Sequence, residues 1–139
     1  MRHFRRNENG QAMVEFALVA PILFLILFAI VQFGIVFMNS IALTDAVRIG
    51  ARKASVSRAS ANPALATQAA VLGAANDLDK STLSGRISIT GPDGNPIDWA
   101  HVPQGSSVTV TATYPYSINI LGIVVASGDL HSATTERLE

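Results

Sequence analysis

The chain has 139 residues in which ten lysines and arginines balance ten acidic groups, and it contains no cysteine. That length leaves room for one modest domain beside a membrane segment and excludes two independent folds. The lack of cysteine excludes disulfides, thiol catalysis and thiolate metal sites together, and the absence of a basic stripe interleaved with aromatics excludes nucleic acid as a partner. The balanced charge is unevenly placed: Arg2, Arg5 and Arg6 precede a long apolar run, Arg48, Arg52, Lys53 and Arg58 follow it, and residues 81–139 carry five acids against two bases.

The basic opening closes at Gly10, and from Phe16 to Thr44 no charged residue occurs. Phe16 to Met38 forms a 23-residue run with Gln32 its one strongly polar member; as a helix it measures about 35 Å, enough for a bilayer core. A secretory signal would carry an apolar region of about 7 to 15 residues and then a small-residue cleavage site. This run is longer and continues into a helical pattern, so it reads as a span. A carboxylate at the centre of a helix in lipid costs about 2.5 to 3.5 kcal/mol, so Glu15, at the entrance of the run, calls for a partner charge or for snorkelling to the interface. Pro21 lacks the N–H that would bond the Ala17 carbonyl, and a local kink or melted turn is expected there, either an ordinary transmembrane kink or a hinge for assembly. Basic residues flank the span on both sides, so its orientation rests on the far domain, whose Ser/Thr-rich strand composition suits export.

Helical spacing continues past the span. Leu43, Val47, Gly50 and Ala54 form one row with Ala42, Ala46 and Ile49 beside it, while Asp45, Arg48 and Arg52 lie on another face. One helix is predicted from about Ala12 to about Ala59, with a face of small residues that lets another backbone approach. Asn62 before Pro63 reads as an N-cap followed by proline at the first helical position. It opens an alanine-rich helix through about Asn76 with Leu65, Ala69 and Leu72 inward. Arg86 to Thr90 alternates as a short strand, and Gly91 to Pro96 is turn chemistry. Ser107 to Tyr114 is the clearest strand, with Val108, Val110, Ala112 and Tyr114 on one face and Thr109, Thr111 and Thr113 on the other; Pro115 is expected to end it. The apolar stretch Ile118 to Ala126, broken by Gly122, is too short to span and reads as a core segment or a subunit contact. His131 to Leu138 is read as a terminal strand.

Asp93, Asn95 and Asp98 put three oxygen ligands in one turn, but the spacing lacks the length and closing glutamate of an EF-hand loop, so a solvated turn is expected and no metal site is assigned. His101 and His131 lie among Asp98, Asp129 and several serines, yet neither a nucleophile elbow nor a glycine-rich oxyanion loop accompanies them, and the chain is not read as an enzyme.

The start of the chain resembles a known family. A short basic leader ending in glycine, then four residues, then Glu-Phe and an apolar helix is similar to the class III signal of type IV pilin-like proteins. The string Gly10-Gln11-Ala12-Met13-Val14-Glu15-Phe16-Ala17, with Pro21 behind it, resembles the TadE-like minor pseudopilins of tight-adherence (Tad/Flp) pili. Asp45-Ala46-Val47-Arg48-Ile49-Gly50-Ala51-Arg52 is similar to the family's Ala/Arg/Gly stretch after the membrane helix, and Ser132 to Glu139 is similar to its usual end. The major Flp pilin is much shorter and nearly all helix, so the added outer domain points to the minor class.

The resemblance implies cleavage between Gly10 and Gln11 by an aspartic prepilin peptidase, glycine suiting a close approach to the backbone. Cleavage would remove three arginines and one glutamate, leave a slight acidic excess and create an α-amino group at Gln11. Glu15, the fifth mature residue, would pair with the amine of a neighbouring subunit, with Phe16 beside it, and so set axial register; Pro21 would supply the helix kink. Other type IV pilins begin with an N-methylated phenylalanine, and here that position is Gln11. The fold class expected is α+β, pilin-like: a long N-terminal transmembrane helix continuing outward and packed on a small antiparallel β-sheet, with a short second helix. Residues 1–10 are then the leader, 11–40 the transmembrane part and 41–139 an exported domain. The function implied is that of a minor pilin needed for assembly or priming of an adhesion pilus. Its partners are the membrane, the prepilin peptidase, other pilins and the inner-membrane assembly machinery, with no nucleic acid, small-molecule substrate or cofactor. The N-terminus would be cytoplasmic at a bacterial inner membrane and the outer domain periplasmic or extracellular. The alternative is a single-span envelope binding module that never polymerises and keeps its leader.

Overall fold

The computed structural model describes residues 8–139, so Arg2, Arg5 and Arg6 lie outside the described residues. Helix α1 spans Glu8–Ser55, 48 residues, about 72 Å at 1.5 Å per residue. It contains Pro21 with no turn lost. The helix starts ahead of the expected Ala12 and stops at Ser55, short of the expected Ala59. The serines explain the stop: the Ser55 hydroxyl donates to the Arg52 carbonyl at 2.9 Å, the Ser57 hydroxyl donates to the Lys53 carbonyl, and the Ser57 N–H bonds the Ala54 carbonyl at 3.2 Å. Local side-chain bonds of this kind compete with continued helix.

Helix α2, Pro63–Ala74, begins where the Asn-Pro pair predicted, with Asn62 Oδ1 accepting from the Leu65 N–H at 3.1 Å. Its inward face corrects the sequence reading. Thr67 and Val71 are buried and Leu72 is half-buried, while Leu65 and Ala69 are exposed. The reason is tertiary: Gly50 of α1 leaves bare backbone under Val71, and the buried Thr67 hydroxyl is satisfied by the Pro63 carbonyl at 2.9 Å. Asn62→Ala is expected to lower stability by about 1 kcal/mol through the lost cap, read as a lower urea midpoint with an unchanged slope.

A short helix that the sequence reading missed, α3 (Lys80–Ser84), follows. Asp79 caps it by accepting from the Ser81 N–H at 3.0 Å and the Thr82 hydroxyl at 2.7 Å, and these bonds, the Thr82 hydroxyl first, hold the Asp79 carboxyl below its ordinary range.

Three strands form one antiparallel sheet in the order β1 (Ile87–Thr90), β2 (Ser107–Ile120), β3 (Ile123–Arg137). Pro115 does not end β2. The Thr113 N–H points to the β1 side, where it bonds the Arg86 carbonyl at 3.1 Å, and the nitrogen two residues on points the same way. Register pairing with β1 runs only from Thr109 to Ala112, so at Pro115 no acceptor waits and its missing N–H costs no ladder bond. β3 likewise starts eight residues before the expected His131, pairing Ile120 with Ile123 across a two-residue turn. Leu121 and Gly122 both have positive φ, 50° and 86°, the primed hairpin turn whose twist matches its strands. Ile118 to Ala126 is therefore a hairpin end and not a core segment, although Ile118 itself is buried.

The alternation expected in β2 holds. Val108, Val110 and Ala112 are fully buried against Leu43, Ala46, Val47, Ala51 and Ala54 of α1, with Val71, Leu78, Leu83 and Leu138 closing the core and Tyr114 and Leu130 half-buried at its margin. Gly50, in one helical row with Leu43, Val47 and Ala54, faces α2 and not the sheet. The result is α+β: a long apolar helix whose C-terminal half packs on an antiparallel sheet and a second helix. Glu139 N–H bonds the Ser55 carbonyl at 3.0 Å and Leu138 N–H bonds the Ser106 carbonyl at 2.8 Å, tying the open end of the hairpin to the end of α1. Tyr114, midway along β2, accepts from the Asp79 N–H at 3.1 Å, on the far side of α2 from its start. β2 therefore runs back along α1 toward its apolar half.

Candidate assembly site

The first turns of α1 bring Gly10, Gln11, Glu15 and Phe16 together by helical periodicity, with Pro21 further along. Gln11 and Glu15 are separated by one turn, and Gln11 Nε2 donates to Glu15 Oε1 at 3.3 Å. A carboxyl group can take part in several hydrogen bonds, and among the described residues this is the one that Glu15 makes. No ion pair of Glu15 occurs among the described residues. The next cation along α1, Arg48, lies about 50 Å of helix away, so a countercharge for Glu15 cannot come from the outer part of this chain.

The surroundings of this group are apolar and uncovered. Met13, Phe16, Leu18, Ile22, Phe24 and Phe28 are all exposed, at angular positions right round the helix. Among the described residues α1 is the one helix long and apolar enough to cross a membrane, and none of its most apolar stretch is buried within the chain. A helix apolar on all sides needs lipid or other helices around it. Gly10 is exposed too, and a Cβ built there meets nothing within 4 Å.

The other groups singled out in the sequence do not converge. Asp93 accepts from Asn95 Nδ2 at 2.9 Å and from the Asn95 N–H at 3.3 Å, and that side chain, then the N–H, keeps its carboxyl below the ordinary range. Asp98 is lowered chiefly by His101, whose Nδ1 sits 2.7 Å from Oδ2, and then by the Ala100 N–H at 3.0 Å. Both carboxylates are exposed and occupied by their own turn. With Gly91, Pro92 and Val102 they line a cavity of about 230 Å³, below the roughly 300 to 1,000 Å³ of small-molecule sites. Asp129 bonds Arg86 at 2.9 Å, and His131 stands opposite Thr113 in the sheet. Among the described residues no group of three or more His, Cys, Asp or Glu side chains could hold a metal ion.

The apolar stretch Ile118 to Ala126 is visible in the sequence, but its hairpin turn is not. Its turn is Leu121-Gly122, which lacks the Asn-Gly or Asp-Gly pair that marks such turns.

A family model described as TadE-like protein matches residues 10–52. The matched stretch lies within α1, begins at Gly10, includes Gln11, Glu15, Phe16 and Pro21, and stops before α2 and the sheet. No curated protein and no solved structure matches the chain.

Proposed function

With the TadE-like helix as premise, which suggests a Tad pilus-associated protein, we propose that the chain is a minor pilin cut between Gly10 and Gln11 by a prepilin peptidase and needed to assemble or prime an adhesion pilus. It is held in a bacterial inner membrane with its start in the cytoplasm and its outer domain beyond the membrane, where it meets other pilins and the assembly machinery.

The observation that carries this reading is Glu15: a carboxylate at the entrance of an uncovered apolar helix, bonded among the described residues by Gln11, with no cation of the outer part of the chain in reach. In lipid such a group needs a countercharge. The α-amino group that cleavage would create at Gln11 of a neighbouring copy supplies one, and a charge pair at that depth sets how far one helix slides past the next. A local kink at Pro21 would let the lower turns adjust to that neighbour.

Glu15→Ala tests it. Insertion becomes easier without the charge, so the variant should still be cut and remain in the membrane. A neighbour's amine left buried and unpaired costs about 3 to 5 kcal/mol, so piliation and adherence should fall to background. Full restoration of both by a correctly processed Glu15→Ala protein would refute the pairing role. Sequencing the mature N-terminus separates a minor pilin, which starts at Gln11, from an anchored binding module that keeps its leader.

A further inference from the structure

We propose that the tip of the β2–β3 hairpin, Ile120 to Val125, dips into the outer leaflet of the membrane that α1 crosses and is covered there by lipid acyl chains. The inference rests on α1 being a membrane span, and on no other part of the assembly reading.

The tip is apolar and uncovered. Leu121 is 77% exposed, Ile123 70%, Val124 58% and Val125 62%. No charged residue occurs from Tyr116 to Gly128. Ile123 and Val125 point to one face of the ribbon and Val124 to the other, with Leu121 at the turn itself. A protein docking on a strand pair covers one face. A ribbon apolar on both faces and at its end suits a medium that surrounds it.

Direction and reach select which medium. The open end of the hairpin is tied to Ser55, and β2 runs back along α1. Its 14 residues span about 46 Å at 3.3 Å each, which would reach the level of residue 24 if strictly parallel to the helix, or about residue 32 if inclined by about 40°. Burial on α1 agrees with the second figure. Gln32 and Val36 are half-buried while Val31, Phe33, Ile35 and Phe37 around them are exposed. α2 packs further out, at Gly50, and both strands of the hairpin pack on α1.

Counted from Phe16, about 20 helical residues cross the hydrocarbon core and end near Ile35. The hairpin tip therefore stands at the outer boundary of the span or just below it. Insertion stays shallow for a physical reason: beyond Thr113, whose N–H bonds the Arg86 carbonyl, β2 has no β1 partner, and unpaired edge backbone groups do not tolerate hydrocarbon. Ser117, Asn119 and Ser127 mark the level where the ribbon turns polar, and Tyr116 is there to sit among headgroups. The second contact with the membrane would fix the tilt of the outer domain on its helix.

The test uses full-length protein in vesicles of phosphatidylethanolamine and phosphatidylglycerol with brominated acyl chains, which quench indole fluorescence on contact. The sole tryptophan is removed by Trp99→Phe, and one indole is returned by Val124→Trp at the tip, Phe28→Trp in the span or Asn95→Trp in a distant exposed turn. Val124→Trp and Phe28→Trp should both lose most of their emission relative to unbrominated vesicles, and Asn95→Trp should lose none. Quenching of Phe28→Trp alone overturns the tip insertion and leaves the span intact. Quenching of neither overturns both. Protection of Val124→Trp from aqueous iodide that rises with protein concentration, without quenching by bromine, assigns the tip to a second copy and also overturns the inference. Circular dichroism checks that each variant folds, and Val125→Trp replaces Val124→Trp if that one does not.

Discussion

Gly10→Val is expected to leave the chain uncut in the membrane. A peptidase must bring its catalytic groups against the Gly10–Gln11 peptide, and a β-branched side chain at that position obstructs the backbone. Folding offers no competing explanation, because a Cβ at Gly10 meets nothing within 4 Å and the residue lies in the exposed first turns of α1. Those turns have amide groups without helical partners, so opening them for a protease costs little. Immunoblots of cells carrying the variant should show a single species longer than the mature protein by the leader, and N-terminal sequencing should find the leader still attached. A mature N-terminus at Gln11 in the Gly10→Val protein would remove the class III assignment and with it the proposed assembly role.

Gly50→Leu should destabilise the outer domain by about 1 to 3 kcal/mol through overpacking. A Cβ at Gly50 runs into Cγ2 of Val71 and lies 3.7 Å from the Thr67 carbonyl oxygen. Val71 is fully buried and β-branched, so it has no free rotamer to retreat into, and α2 itself must move off α1. The matched control is Gly73→Ala on α2, where a Cβ meets nothing. There the change should stabilise by up to about 0.5 to 1 kcal/mol, by reducing the freedom of the unfolded chain. Denaturant unfolding of a fragment from Ser40 onward, which keeps every buried core residue from Leu43 to Leu138, measures both. Shifts of the same sign would mean that the two helices do not pack as described.

Much of the candidate site was legible without coordinates because it is built on one helix. Gly10, Gln11, Glu15 and Phe16 are brought together by sequence spacing alone, and the structure adds the bond from Gln11 to Glu15 and the lack of any cover over the apolar turns. Asp93, Asn95 and Asp98 were read as a solvated turn, and the two carboxylates are exposed and bonded by Asn95 and His101 beside them. The hairpin end was singled out as an apolar stretch, but its geometry was not readable, since a short apolar run looks the same whether it is core, contact or turn.

By itself the sequence determined the elements whose causes are local. An uncharged apolar run makes α1 long enough to cross a membrane, the Asn62-Pro63 pair starts α2, and period-two alternation puts Val108, Val110 and Ala112 on one face. Only the tertiary structure decided which neighbours those elements meet. Pro115 lies inside β2 because β1 ends before it could accept a bond there, and a strand cannot record in its own sequence how long its neighbour is. Thr67 and Val71 face inward because Gly50, on another helix, leaves the space they fill. The exposure of Leu121, Ile123, Val124 and Val125 follows from a hairpin that outruns its sheet, and burial is a property of the surroundings that no residue carries alone.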